Sequence, residues 1–266
     1  MKIISFLLLT FMISKNLNSD EFPKIFGCFC QGGLILGKID NNSSVKIDSR
    51  NVEIFPNGEF IFAFDRNFKE EVSIEINNVS KKFKIKKKKY KIEKIRGLPK
   101  KKVDPSKKDL VKIKKDMKRI SEAKKMGKKN KLFDNEFIIP VDGRLSGFFG
   151  SQRILNDKPR RPHYGIDIAQ SEGSIIKAPS SGIIKVIADN MFFTGNTVII
   201  DHGLGLISIF AHMKDINVLE GQLVKKNEVI GTVGMTGRAT GPHLHWGVYY
   251  LKTPIDPLSL VENTFF

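Results

Sequence analysis

The sequence predicts a mainly β protein whose carboxy-terminal half is an antiparallel β domain. Three observations carry that expectation. β-branched and aromatic residues recur in short runs separated by Gly, Asn, Asp and Pro. A single stretch shows helical periodicity. All five histidines, most of the glycines and the only Trp fall between residues 137 and 266.

Composition bounds the class. Of 266 residues, 41% are hydrophobic and 27% charged, which excludes a wholly disordered, collagen-like or polytopic membrane protein. The net charge of +17 is regional: residues 81–131 hold 25 basic and 5 acidic residues, a net of +20, and the remainder is close to neutral.

Residues 1–19 read as an export signal. Met1-Lys2 gives a positive start, and Ile3 to Ile13 is apolar apart from Ser5 and Thr10. Such a run suits a signal-peptide core and falls short of the roughly 17–25 residues that span a bilayer as a helix. Ser19 is small but Leu17 is not, so an A-x-A-like cleavage site is absent. An uncleaved anchor in the inner membrane and a buried apolar helix stay open as alternatives. Export places the chain in the periplasm or cell envelope.

Cys28 and Cys30 are the only cysteines. Export favours disulfides, but one across a single residue is strained. The expectation is two half-buried thiols on a strand, with no cysteine-type zinc site.

Residues 21–90 are predicted as a small β-sandwich-like accessory module with strands at Leu34–Leu36, Val45–Ile47, Val52–Phe55, Glu59–Phe64 and Val72–Ile76. It contains no His, so its expected role is structural. Residues 91–131 are the Lys-rich connector. Asp104-Pro105 reads as a helix start, Gly127 as its stop, and Leu110, Ile113, Met117 and Ile120 as one apolar stripe. The basic run from 81 to 131 suits an anionic membrane surface or polyanion, or else a solvated face. Its few aromatics argue against nucleic acid.

Residues 137–266 hold the chemistry. Strands are predicted at Gly182–Ile187, Thr197–Ile200, Leu206–Phe210, Glu228–Val233 and His243–Tyr249. Residues two apart on a strand share a face, so His243 and His245 present two imidazoles side by side. His163 and Asp167 converge if the first lies on a loop and the second on the strand that follows. Two histidines and one carboxylate satisfy a catalytic zinc, which takes three protein ligands and keeps a fourth position open.

These segments resemble the lysostaphin-type, LytM-like zinc metallopeptidases. The matching text is His163-x-x-x-Asp167, Phe210-Ala-His212-Met, and Gly237-Arg-Ala-Thr-Gly241-Pro-His243-Leu-His245-Trp246. Ser146-Gly-Phe-Phe-Gly150, Ala178-Pro-Ser-Ser-Gly182 and Asp201-His202-Gly203 also match. The likeness runs from about Pro140 to Pro257 and leaves residues 21–131 uncovered. It implies one zinc per chain held by His163, Asp167 and His245, with His212 and His243 as catalytic histidines. Phe210 stands where the family often has Tyr, which touches no ligand. His202 lies outside the motif positions and reads as structural.

The function so implied is hydrolysis of the peptide cross-links of bacterial peptidoglycan by zinc-activated water. The alternative is a silent cell-wall-binding adaptor of the same fold that activates another hydrolase. The expected partners are peptidoglycan peptide stems and a regulatory protein of unknown kind. Tyr164, Arg144, Arg153 and Thr240 are candidates to line the cleft.

Overall fold

The computed structural model describes residues 22–125 and 127–262. The export signal predicted over residues 1–19 lies outside them.

Eight strands form the first part: β1 (Ile25–Gly27), β2 (Leu34–Lys38), β3 (Val45–Ile47), β4 (Arg50–Asn51), β5 (Glu59–Ala63), β6 (Glu71–Ile76), β7 (Val79–Lys84) and β8 (Ile92–Ile95). The first seven make two sheets, ordered β1-β2-β5 and β4-β3-β6-β7. Period-two alternation explains how they pack. Ile35 and Phe60 of the first sheet meet Val45, Ile47, Val72, Ile74 and Ile76 of the second in one core. Their neighbours Leu34, Leu36, Ile61 and Ala63 point the other way, into the core of the carboxy-terminal domain. The β1-β2-β5 sheet is therefore buried on both faces, which is why β2 and β5 read as continuous apolar runs.

Two expectations are corrected here. Val52–Phe55 is not a strand: the chain turns there, with Phe55 N–H donating to Glu59 O and the Phe55 side chain buried against the carboxy-terminal core. Cys28 and Cys30 are joined in a disulfide and do not lie on a strand as free thiols. Gly27 at φ +105° starts a turn in which Cys28 N–H donates to Leu34 O and Gly33 N–H to Cys30 O. That fold-back holds the two Cα atoms 5.3 Å apart, within bridging range.

The basic region is largely docked and not a free linker. β7 belongs to the sandwich, and β8 pairs in parallel with a strand of the carboxy-terminal half. After the short α1 (Lys100–Val103) comes α2 (Lys107–Ala123). Its cap is Ser106, two residues beyond the expected Asp104. Ser106 Oγ accepts from Asp109 N–H and Asp109 accepts from Ser106 N–H, a reciprocal box that Asp104-Pro105 could not close. Asp104 instead pairs with Lys158 and Arg160. The helix ends at Ala123, before Gly127. Only part of its stripe is packed: Ile113 is buried and Ile120 partly so, whereas Leu110 and Met117 are half exposed. Ala123 packs against Val186, Ile199 and Ile207. Asp116 accepts from Phe192 N–H, and Arg119 bonds Ile187 O and Glu220. Among the described residues, no helix is long and apolar enough to cross a membrane.

The last part comprises β9 (Arg144–Gly147), β10 (Gln152–Leu155), β11 (Lys158–Pro159), β12 (Ile166–Ala169), β13 (Ile175–Lys177), β14 (Gly182–Met191), β15 (Gly195–Asp201), β16 (Leu206–Ile216), β17 (Leu223–Val224), β18 (Val229–Val233), β19 (His243–Tyr250), β20 (Thr253–Ile255) and the short α3 (Leu258–Val261). Ten of these strands form one antiparallel sheet with the path β17-β14-β15-β16-β19-β12-β9. The order matters for chemistry because β16, β19 and β12 lie side by side. Asp167 faces His245 across β12 and β19, and Ala211 faces His245 across β16 and β19.

Candidate metal centre and catalytic cleft

His163 comes from the loop before β12. Its backbone is held by two bonds, His163 N–H to Ser151 O and Gly150 N–H to His163 O. Its Nδ1–H donates to Phe148 O at 3.2 Å, which fixes the tautomer and turns the Nε2 lone pair toward Asp167. Gly165 makes the approach sterically feasible: a Cβ there would lie 2.7 Å from His245 Cε1 and 2.6 Å from Trp246 O. Gly147 does the same on the other side, where a Cβ would come within 2.5 Å of Asp167 Oδ2.

Three ligand-type atoms meet at one point. His163 Nε2 is 2.9 Å from His245 Nδ1 and 3.1 Å from Asp167 Oδ1, and His245 Nδ1 is 2.8 Å from Asp167 Oδ1. The edge of a tetrahedron built on zinc bonds of 2.0–2.1 Å is about 3.3 Å, so the cluster is already close to the size the ion requires. Among the described residues it is the group of acids and histidines able to hold a metal. The donor set also fits chemically. With its Nδ1–H donated to a carbonyl, His163 has Nε2 left to offer a cation beside Asp167 Oδ1 and His245 Nδ1.

Electrostatics keep Asp167 and His245 in their ligating forms. Burial opposes ionisation of Asp167, yet His163, His245 and Arg153 together hold its carboxyl well below the usual range. Burial pushes His245 down to about 4 against the pull of Asp167, so it is neutral near pH 7.

His212 and His243 flank the cluster, with ring centroids 4.6 Å apart. His212 Nδ1–H donates to Thr236 O at 2.8 Å, and His243 Nδ1–H to Gly241 O at 2.8 Å. Both therefore present Nε2 to the cleft, and His243 Nε2 lies 4.0 Å from Asp167 Oδ1. His212 sits at φ +65°, a region that costs a non-glycine residue conformational energy, and its N–H is pinned to Thr194 O. Burial, with help from His243 and His245, lowers its pKa to about 3.

His202 belongs to a separate network. Trp246 Nε1–H donates to Ser208 Oγ, Ser208 bonds His202 Nε2, and His202 Nδ1–H donates to Ser181 O.

Two cavities open on the cluster. One, of about 440 Å³, holds Asp167, His212 and His243 with Arg144 and Thr240. The other, of about 570 Å³, holds His163, His212 and His245 with Tyr164 and the half-exposed Leu110 and Met117 of α2. All four residues expected to line the cleft thus do so, and Arg153 borders both cavities. Two further residues carry no expectation from sequence. Glu93 of β8 accepts from Arg153 and from Phe148 N–H, linking the connector to the cluster through the Arg153–Asp167 ion pair. It is the single acid between Lys81 and Lys100, a signal that marks it in the sequence. Arg238 borders both cavities from the Gly237–Gly241 segment.

Comparison with known proteins finds relatives of the region that carries this site. Residues 161–257 match the model of Peptidase family M23. The DD-carboxypeptidase/endopeptidase Mpg of Neisseria meningitidis is 39% identical over 121 residues, 46% of this chain and 28% of that protein. The peptidoglycan DD-endopeptidase ShyA of Vibrio cholerae is 34% identical over 122 residues, again 28% of its length. The chain thus spans little more than a quarter of these relatives. A candidate M23 peptidase from Pseudomonas aeruginosa, known as a crystal structure, is 28% identical with a TM-score of 0.65, covering 87% of this chain and 94% of that one. That likeness extends past the catalytic sheet into the connector and sandwich. The His163-x-x-x-Asp167 and His243-x-His245 segments both lie inside the span that matches Peptidase family M23.

Proposed function

We propose that the protein is a zinc-dependent endopeptidase that cuts peptide cross-links of peptidoglycan. The observation that carries this reading is the convergence of His163 Nε2, Asp167 Oδ1 and His245 Nδ1 beneath two histidines whose Nε2 atoms face the cleft. The relatives named as peptidoglycan DD-endopeptidases support the substrate class.

His163, Asp167 and His245 would hold the ion. Bound there, zinc polarises the scissile carbonyl and lowers the pKa of water. The protein's own part is proton handling. With Nδ1–H committed to a backbone carbonyl, His212 and His243 each offer a lone pair at Nε2 while neutral. Each becomes a donor at Nε2 only after taking a proton. Abstraction from the attacking water thus creates the donor that a developing oxyanion or departing amine needs. Peptide hydrolysis follows without a covalent intermediate.

Zinc-loaded protein incubated with cross-linked sacculi is expected to release peptidoglycan fragments with loss of cross-linked dimers. Intact dimers at full zinc occupancy would overturn the proposal and favour the adaptor reading. The substrate implies export, which the apolar run at residues 3–13 and the Cys28–Cys30 disulfide support. The exposed lysines of the 81–131 run are proposed to hold the protein near its anionic substrate.

A further inference from the structure

Five arginines surround the cleft, and their partners differ. Arg153 is neutralised by Glu93 and Asp167, and Arg160 by Asp104. Arg144 and Arg161 are exposed to solvent. Arg238 is the exception: it is only partly exposed, and among the described residues its guanidinium meets no carboxylate. It lies over the Phe193 ring at 4.3 Å, and its backbone N–H donates to Phe193 O.

The position is built and not incidental. Gly237, at φ +77°, packs so tightly that a Cβ would meet Gly195 N at 2.4 Å. Thr236, one residue earlier, bonds Asn196 N–H through its hydroxyl and orients His212 through its carbonyl. The segment that aims a catalytic histidine thus also fixes Arg238 at the border of both cavities. Burial, reinforced by Arg153 and Arg160, pulls Arg238 down to about 10. A partly desolvated cation that meets no carboxylate is costly unless an anion joins it.

We propose that Arg238 is a specificity-determining residue that binds a free carboxylate of the peptide substrate and thereby sets the register of the scissile bond. The inference rests on the endopeptidase reading and adds the chemical class of the group recognised. A guanidinium offers a planar, two-pronged donor matched to a carboxylate. Phe193 beneath it, with Leu110 and Met117 elsewhere in the lining of the same cavity, supplies apolar surface for small side chains of the bound peptide. The acids Glu93 and Asp104 are already taken by Arg153 and Arg160 and do not compete for it.

The test uses full-length, zinc-loaded protein and two substrates: cross-linked muropeptides as isolated, and the same muropeptides with their free carboxylates converted to amides. Arg238→Gln is expected to raise KM at least tenfold on the native substrate while kcat changes by less than threefold. On the amidated substrate the unaltered protein already shows the raised KM, and Arg238→Gln adds nothing. Arg238→Lys recovers part of the loss on the native substrate only. An equal loss on both substrates, or none on either, would overturn the proposal. Binding of both muropeptides is also measured in a His212→Ala background, where turnover is suppressed. If the unaltered protein cuts neither substrate, the endopeptidase reading has failed. A preference for the carboxylate form that vanishes in the double variant still upholds carboxylate recognition, and its absence there sinks it.

Discussion

His202 and the His163–Asp167–His245 cluster are both withdrawn from solvent, His202, His163 and Asp167 fully and His245 in part. They differ in what their nitrogens meet. His202 has a backbone carbonyl on Nδ1 and a serine hydroxyl on Nε2, so nothing is left for chemistry. In the cluster, two ring nitrogens and a carboxylate oxygen point at one another with a shared gap between them. Burial alone does not mark a functional histidine. Ligand atoms that converge without a protein donor for each lone pair do.

The comparison breaks most visibly at the metal. Asp167→Ala or His245→Ala is expected to abolish both zinc binding and cleavage, whereas His202→Ala keeps zinc near one per chain. Elemental analysis after dialysis checks this, and zinc loss in His202→Ala alone would reverse the assignment.

Proton transfer gives the next largest effect. His212→Ala and His243→Ala should retain zinc and lose about 10²–10⁴-fold in turnover. Steady-state kinetics on a soluble cross-linked peptide, paired with metal content, separates these residues from the ligands.

Stability sharpens the contrast from the other side. His202→Ala removes a buried group that satisfies Ser208 and leaves a cavity, a loss of about 2–4 kcal/mol read from denaturant unfolding. pH adds a signature. Burial lowers His202 from 6.5 to about 4, so the unfolded chain takes up the proton first. The stability tied to its neutral form is whole above pH 6.5, declines as pH falls through that window and is gone below about 4, an effect on the order of 3 kcal/mol. The melting temperature of the unaltered protein should therefore drop between pH 7 and 5 more than that of His202→Ala.

The smallest effect concerns the basic run. Lys86, Lys87 and Lys89 are exposed, whereas Lys88 is tied to Asp256 at 2.5 Å. Replacing the first three with Gln is expected to weaken co-sedimentation with sacculi by about tenfold at low salt, with no change in zinc content or cleavage of a small peptide. Binding equal in both proteins and insensitive to salt would make these lysines a solvated surface only.

Much of the site is legible in sequence because its ligands lie close along the chain or share one strand. His163 and Asp167 are four apart, His243 and His245 two apart, and strand periodicity puts the latter pair on one face. The strands that carry them announce themselves by β-branched runs. The basic segment hid more, because a lysine-rich composition looks the same whether its backbone is free or paired.

The sequence by itself determined the mainly β class, the histidine set and the chemistry those residue types support, since each depends on local pattern and side-chain type. Tertiary structure alone decided that β8 joins β10 and that Glu93 meets Arg153, a pairing 60 residues apart. It decided the Cys28–Cys30 bridge by a turn that begins at Gly27. Among the described residues it also left the Arg238 guanidinium without an acid while giving Arg153 and Arg160 theirs. Which charges meet depends on how distant segments pack, and no local period encodes that distance.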